Sequence, residues 1–483
     1  MLAELPALRR RCVPRDPGAR VVERGTELGV VQSSPIFRRT LSSRESRVRT
    51  TSPERSRMDA PKPPLLFLGQ ALPYPQDSGV AIRTAQAFRM LSSRFDVDAL
   101  FFYRNAHTSH GPALQTRTGR LRSYGRVETF PIPQENSHGR FALDHLRSLA
   151  TGRPYTYYAY DSAAYHAALD RLTRASTYEI VHLDSLDLVR YAMRFDARRV
   201  ACTHHNVESD LLRRRARRDP SPLRRLGMRL QVSRVAAAEA AWCPRFGLNI
   251  AVSEGDAAAL REIAPGARVE VVPNGVEAPP ASAVSEGGTE VLFVGGTSWF
   301  PNRDALEFFG RDVLPTLRER HPDVTVRWVG RCSGEERRRW GAEGLDLTGY
   351  VNDVAPHYAD AACVVVPLRL GGGTRLKILE AWAYGKAVVS TTVGCEGLDA
   401  RHDANILIAD DPQRFVECVS RVLGQPDLRA RLGREGRKTV ESRYSWQAIT
   451  PTFTELYQTL LDEVRAPKGA PSRRARPREG SPA

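Results

Sequence analysis

The chain alternates short apolar runs with longer segments in which apolar residues recur every three or four positions. Runs of strand length fall at Leu65–Gly69, Val97–Tyr103, Val127–Ile132, Glu179–Leu183, Arg199–Thr203 and Leu248–Ser253. The spacing between most of them predicts helices, Ala81–Leu91 and Val232–Trp242 among them. After "VEVVPNGV" at Val269–Val276 comes "EAPPASAVSEGG", which has the composition of a linker. A second series follows: Val291–Gly295, Val324–Gly330, Ala362–Pro367, Ala387–Thr392 and Ile406–Ala409. Continuous apolar strands separated by helical patterns imply parallel sheets covered on both faces. Two such series predict an α/β fold of two doubly wound, Rossmann-like domains facing across a cleft, over residues 58–278 and 279–445. Ligands of such sheets bind beyond the carboxyl ends of the strands, so the cleft is the expected site.

Composition adds the flanks. Hydrophobic residues make up 41% and charged residues 26% of the 483, ordinary for a globular enzyme. No apolar run approaches the roughly 20 residues that span a bilayer, and no apolar stretch follows Arg9–Arg11 to make a secretory signal. Seven scattered cysteines without a C-x-x-C pair fit a reducing, cytoplasmic setting and give no zinc or other metal site. The net charge of +16 is concentrated. Residues 1–57 hold 13 Arg against 6 acids, 213–229 hold 8 Arg against 1 Asp, and 466–483 hold 5 Lys or Arg against 1 Glu. The remainder is slightly acidic, and no motif-borne or aromatic-interleaved basic face marks a nucleic-acid binder. Residues 1–57 and 466–483 read as disordered basic tails. For the first tail two readings stay open: Met58 is the true start, or the stretch is an unstructured extension.

The densest chemistry lies in "GGGTRLKILEAWAYGKAVVST", Gly371–Thr391. The loop that follows the buried strand Ala362–Pro367 carries Gly371, Gly372 and Gly373, and a helix is expected to open near Thr374. The first N–H groups of a helix lack partners and carry partial positive charge, and glycines let a ligand approach the backbone. That combination suits phosphate. Arg375 and Lys377 are badly placed at a helix N-terminus unless an anion binds there. Glu380, about 9 Å farther along the axis, leans back toward the same end. Its carboxylate would reach the ribose of a nucleoside diphosphate. A solvated helix face with an i,i+3 Lys377–Glu380 bridge explains the same residues.

Together with "FVGGTSWFPNRDALEFF", "PYPQDSGVAIRTAQAFRML", "THHNVES", "VPNGV", "YVNDVAPHYADAACVVVPL" and "YSWQAITPTFTELYQTLL", the stretch resembles the family 4 (group 1) retaining glycosyltransferases of GT-B fold. The resemblance covers roughly residues 64–465 and is most specific over 290–395. It implies a nucleotide-sugar donor on the C-terminal domain and an acceptor on the N-terminal one. It also implies a last helix over 446–465 that crosses back onto the N-terminal domain. Glu380 matches the family Glu that binds the ribose, and Gly371–Thr374 matches the backbone that faces donor sugar and diphosphate. Gly79 and Gly296 match glycines of the turns after the first strands of the two halves. His205 matches a His that faces the donor sugar, with adjacent His204 structural. Three family features are missing. An earlier Glu is replaced by Gly372, a diphosphate-clamping Arg and Lys are replaced at Thr297–Ser298 and Pro301–Asn302, and the first glycine turn has one glycine. Arg375 and Lys377 are expected to supply the clamp's charge.

The implied reaction is retaining transfer, with no metal and no cofactor beyond the donor. The expected acceptor is a glycan, a lipid-linked or a small molecule, within the synthesis of cell-surface or exopolysaccharide. Membrane-associated relatives use a basic, partly apolar surface, which makes Leu211–Leu230 a candidate for the anionic inner face of the cell membrane. A nucleotide-sugar epimerase of the same fold and a nucleic-acid-binding protein are the alternatives.

Overall fold

A computed structural model describes residues 61–467, apart from 77, 105–111, 136, 281–287 and 372–374. The expected N-terminal tail, and all but two residues of the C-terminal one, lie outside the described residues. The first sheet contains β1 (Pro64–Gly69), β2 (Asp96–Tyr103), β3 (Arg126–Pro131), β4 (Ile180–Leu183), β5 (Val200–His204), β6 (Leu248–Ala251) and β7 (Val269–Val271), in the order β3-β2-β1-β4-β5-β6-β7. The second contains β8 (Glu290–Val294), β9 (Thr325–Val329), β10 (Leu345–Gly349), β11 (Ala361–Val366), β12 (Val388–Ser390) and β13 (Leu407–Ile408), in the order β10-β9-β8-β11-β12-β13. Every pairing in both sheets is parallel. Two doubly wound α/β units therefore stand where the two apolar series predicted them.

The apolar runs become strands because both of their faces are covered: β4, β5, β6 and β11 are buried at every residue. Two strands have no such run. β7 is only three residues long, and β10 alternates buried Leu345 and Leu347 with exposed Asp346. Both are edge strands, where one flank needs no apolar cover. The helix expected over Val232–Trp242 begins a full ten residues earlier, at Pro222. Ser221 caps it, accepting from the Arg224 N–H, and Pro222 occupies the first turn. Its N-terminal half carries exposed Leu and Arg, so the apolar periodicity that marks a core-facing helix is absent there.

The last helix, Trp446–Arg465, packs on the first sheet rather than the second. Trp446, Ile449, Phe453, Tyr457, Leu460 and Leu461 form its buried stripe and join Phe67, Phe88, Val97 and Ile250 in one core. A Cβ on Gly275 would lie 2.8 Å from both Ile449 and Trp446, so only glycine admits the helix this closely. Arg465 pairs with Glu179, and Arg268 pairs with Glu463 at 2.7 Å. Phe453 is fully buried, with the Arg83 guanidinium 5.6 Å from its ring centre. Phe453→Ala is expected to lower unfolding free energy by about 3–5 kcal/mol. Leu223→Ala, at a side chain 79% exposed, should change it by less than about 0.5 kcal/mol. Urea unfolding of both variants checks the contrast.

Candidate functional site

In the second sheet β8 and β11 are neighbours, but β8 continues to β9 on one side and β11 to β12 on the other. The connections diverge there and leave a crevice at the carboxyl ends of the two strands. Its walls are the loop after β8, Gly295–Trp299, and, after β11, Pro367–Gly371 with Arg375. The helix beyond the second loop runs from Leu376 to Ala383 with Arg375 as its N-cap, so it opens later than the expected Thr374. Ile378 makes the first backbone bond, to the Arg375 carbonyl. The N–H groups of Leu376 and Lys377 are thereby left outside the helix ladder, facing the loop end. Gly372, Gly373 and Thr374 lie outside the described residues. Gly371 has φ 137°, and a Cβ there would sit 2.8 Å from the Arg375 guanidinium.

The two cations go to different places. Arg375 is 7% exposed and turns away from the β8 loop. Its guanidinium donates to the Val393 carbonyl at 3.2 and 3.1 Å and meets Glu396 at 3.4 Å. Lys377 turns toward the β8 loop. Its Nζ donates to Asn302 Oδ1 at 3.0 Å and lies 5.0 Å from the centre of the Phe293 ring. Asn302 in turn donates through Nδ2 to the Gly296 carbonyl at 2.8 Å, which ties the glycine turn to the amine. Burial, with Arg375 adding repulsion, brings the Lys377 amine down to about 7, against the pull of Glu380.

Glu380 lies on the same helix one turn on. Its Oε2 accepts from the Tyr358 hydroxyl at 3.2 Å, and burial pushes the carboxyl up while Tyr358 and Lys377 oppose the shift. Tyr358 is fully buried and stacks on Tyr384, centroids 4.7 Å apart at 11°, so the hydroxyl is fixed in place. Lys377 and Glu380 thus have separate partners, Asn302 and Tyr358, rather than forming a mutual surface bridge.

The first half presents its own crevice between β1 and β4, where its strand order diverges. Gly79 opens the helix Gly79–Arg94, and a Cβ there would lie 3.1 Å from Leu376 Cδ1, the first residue of the opposite helix. His205 follows β5. Its Nε2 is 3.4 Å from Asp184 Oδ1, and Thr84 donates to the other Asp184 oxygen at 2.7 Å. Burial disfavours the Asp184 anion, yet His205 and His182 hold its carboxyl down at about 2. His204 points into the core instead, with Nε2 3.0 Å from Asn249 Oδ1, and burial draws it down to about 4.

Polar contacts also run between the halves. Arg214, on the helix Glu208–Arg218, donates to the Gly371 carbonyl at 3.2 Å and to Glu396 at 2.9 Å, and is braced by Asp210 at 2.7 Å.

Residues 134–278 match the Glycosyltransferase Family 4 model and 288–425 the Glycosyl transferases group 1 model, so the two half-chains carry the paired domains of one family. The chain belongs to the group 1, family 4 glycosyltransferases. It is 33% identical over 162 residues to the lipopolysaccharide core biosynthesis glycosyltransferase LpsE of Rhizobium meliloti, covering 31% of this chain and 47% of that one. Three curated relatives are matched over 36–48% of their own length. The fold is shared with sucrose-phosphate synthase of Thermosynechococcus elongatus, at TM-score 0.60 and 19% identity, over 83% of this chain and 100% of that one. It is shared also with Anabaena HepE in complex with UDP-glucose, at TM-score 0.53 and 17% identity, over 82% and 99%.

In this glycosyltransferase the contacts that sequence reasoning missed are Tyr358, Asp184, Arg214 and Glu396. None has a local signal, since each acts through a partner between 21 and 182 positions away. Lys377 offers a direct check on the site's electrostatics. The unfolded chain keeps its lysine protonated to about pH 10.4, whereas the folded chain releases that proton near pH 7. Between those values the unfolded state holds more protons, so the Lys377 contribution to stability rises with pH. Lys377→Met is expected to remove that rise. Urea unfolding of both proteins from pH 7 to about 10 reads the difference in slope, and identical slopes would place the amine in water.

Proposed function

We propose that this protein is a retaining hexosyltransferase that moves a sugar from a nucleoside-diphosphate sugar to a glycan, lipid-linked or small-molecule acceptor, in the synthesis of lipopolysaccharide or another surface polysaccharide. The observation that carries the donor assignment is the Lys377–Asn302 contact, with Glu380 on the same helix. Pro301–Asn302 stand where the resemblance leads one to expect a clamping Lys, and Lys377 brings an amine to Asn302 from a different element. Similar proteins support the same class: LpsE is a glycosyltransferase of lipopolysaccharide core biosynthesis, and HepE has been seen in complex with UDP-glucose.

The chemistry follows from these placements. A diphosphate at the mouth of the second crevice would meet the Lys377 amine and the helix N–H groups, and Glu380, held by Tyr358, would take the ribose hydroxyls. Anion binding favours the charged amine, so a group poised near neutrality becomes a full cation where negative charge develops on the leaving phosphate. The bond from the anomeric carbon to the phosphate oxygen breaks, and that oxygen accepts the acceptor's proton as the new bond forms on the same face. His205, oriented by Asp184, would contact the sugar from the first half.

Calorimetry with UDP, GDP, ADP and TDP and their nucleosides tests the donor site. Glu380→Ala should weaken nucleoside and nucleoside diphosphate alike, by about 1.5–3 kcal/mol. Lys377→Ala should weaken the diphosphate selectively. Equal losses for both ligands in Lys377→Ala would make the amine structural.

A basic membrane-facing surface belongs to the same proposal. Among the described residues no helix is long and apolar enough to cross a membrane. The arginine-rich segment forms two helices, Glu208–Arg218 and Pro222–Trp242. Leu211 is buried and Leu212 half-buried, so only Leu223, Leu226 and Leu230 of the expected leucines face out. Three more exposed leucines, Leu143, Leu146 and Leu149, line one side of the helix His138–Thr151. The two helices are neighbours, because Gln231 and Arg234 each donate to Ser148 Oγ at 3.0 Å. Such a leucine stripe flanked by Arg224, Arg225 and Arg229 suits shallow insertion at an anionic surface, with each cation worth about 1 kcal/mol. A protein lacking residues 1–57 and 466–483 should sediment with anionic vesicles and not with neutral ones, and Leu146→Asp/Leu226→Asp should abolish it. No sedimentation at low salt would argue for a soluble acceptor.

A further inference from the structure

A cavity of about 490 Å³ opens on the first half, away from the donor crevice, between the end of the helix His138–Thr151, the Arg190–Arg194 segment and the helix Pro222–Trp242. That volume is within the range of small-molecule sites, about 300–1,000 Å³. Its walls are apolar, with Tyr157, Met193, Ala238 and Trp242 among them, yet four arginines line it and no carboxylate does. Two of the four are neutralised from behind: Arg190 by Asp161 at 2.9 Å, and Arg194 by Asp170. Arg153 and Arg234 have no carboxylate partner among the described residues. Arg234 donates only to the neutral Ser148 hydroxyl, and Arg153 is exposed. Arg234 stands half-buried beside this apolar wall with no carboxylate, Arg153 sits at the rim, and the chemistry that suits both is an anion attached to an apolar chain.

The surroundings give that ligand a direction. The cavity begins at Gly152 and Arg153, where the helix bearing Leu146 and Leu149 ends, and Met193 at its rim is 54% exposed. On the opposite side Pro154, Tyr157 and Ala238 are shared with a second crevice, which reaches His204 and His205 at the end of β5. We propose that this cavity holds the phosphate and adjoining hydrocarbon of a lipid-borne acceptor, with Arg153 and Arg234 as its anion contacts and the sugar end directed toward His205. The assignment rests on the first half being the acceptor side of the transferase proposed above.

Calorimetry on the full chain tests it, with dodecyl phosphate below its aggregation concentration as the probe and inorganic phosphate and dodecyl maltoside as comparison ligands. Dodecyl phosphate should bind at least tenfold more tightly than either. Arg153→Ala/Arg234→Ala should cut its affinity at least tenfold, and Ala241→Trp, which fills the cavity from an exposed position, should do the same. UDP affinity should stay within twofold in both variants, which shows an intact fold. Equal binding of dodecyl maltoside would overturn the anion site, and equal binding of inorganic phosphate would overturn the lipid. Wild-type affinity in the double variant would sink the assignment of the two arginines. If dodecyl phosphate binds as described while no nucleoside diphosphate binds the wild type, the donor assignment falls and the cavity is upheld.

Discussion

Parallel strands can be joined only by a crossover that returns along the sheet, and this constraint organises the whole protein. Every strand in a sheet then ends on the same side, and every loop that leaves those ends is free of the hydrogen-bond ladder. Where the winding direction reverses, between β1 and β4 and between β8 and β11, no crossover fills the gap. Gly79, at the start of its helix, and His205, just after β5, lie at the first sheet's carboxyl ends, and Gly296, Gly371, Lys377 and Glu380 lie at the second reversal. The close approach of Gly79 to Leu376 shows that these two ends face each other.

At the second crevice the fold buries charge without neutralising it by direct pairing. Lys377 has a neutral amide and an aromatic face as partners, and Glu380 has a phenol. Burying an ion with only dipoles for company is costly, and the shifted acidities of both groups express that cost. The proposed donor answers both, bringing phosphate oxygens to the amine and hydroxyl donors to the carboxylate. Arg375 is treated differently: its guanidinium binds the Val393 carbonyl and Glu396, and Gly371 leaves room beside it.

Arg214 links this loop to the other half. It comes from the arginine-rich segment that the composition alone would assign to a solvated or membrane-facing surface. Its guanidinium is spent on Gly371, Glu396 and Asp210, while Leu223, Leu226 and Leu230 beyond the helix break face outward. The break at Asp219–Ser221 separates the helix that reaches the other half from the helix whose leucines are exposed. The last helix adds a second tie by closing the core of the first sheet from the far end of the chain.

The alternation of apolar runs was enough to determine two doubly wound sheets, because a strand covered on both faces must be apolar throughout, and such runs stand out in any sequence. It was not enough for β7 and β10, whose open flanks relax that demand. The sequence also singled out the stretch proposed to hold the donor, since three glycines, two cations and a carboxylate at a strand-to-helix junction are a local pattern. What each of those side chains does was decided only in three dimensions. Lys377 and Arg375 are two residues apart and diverge to partners 75 and 18 positions away. The direction each takes depends on where β8 and the Val393 turn lie beside the helix, and hydrogen bonds and burial between distant segments leave no periodicity to read.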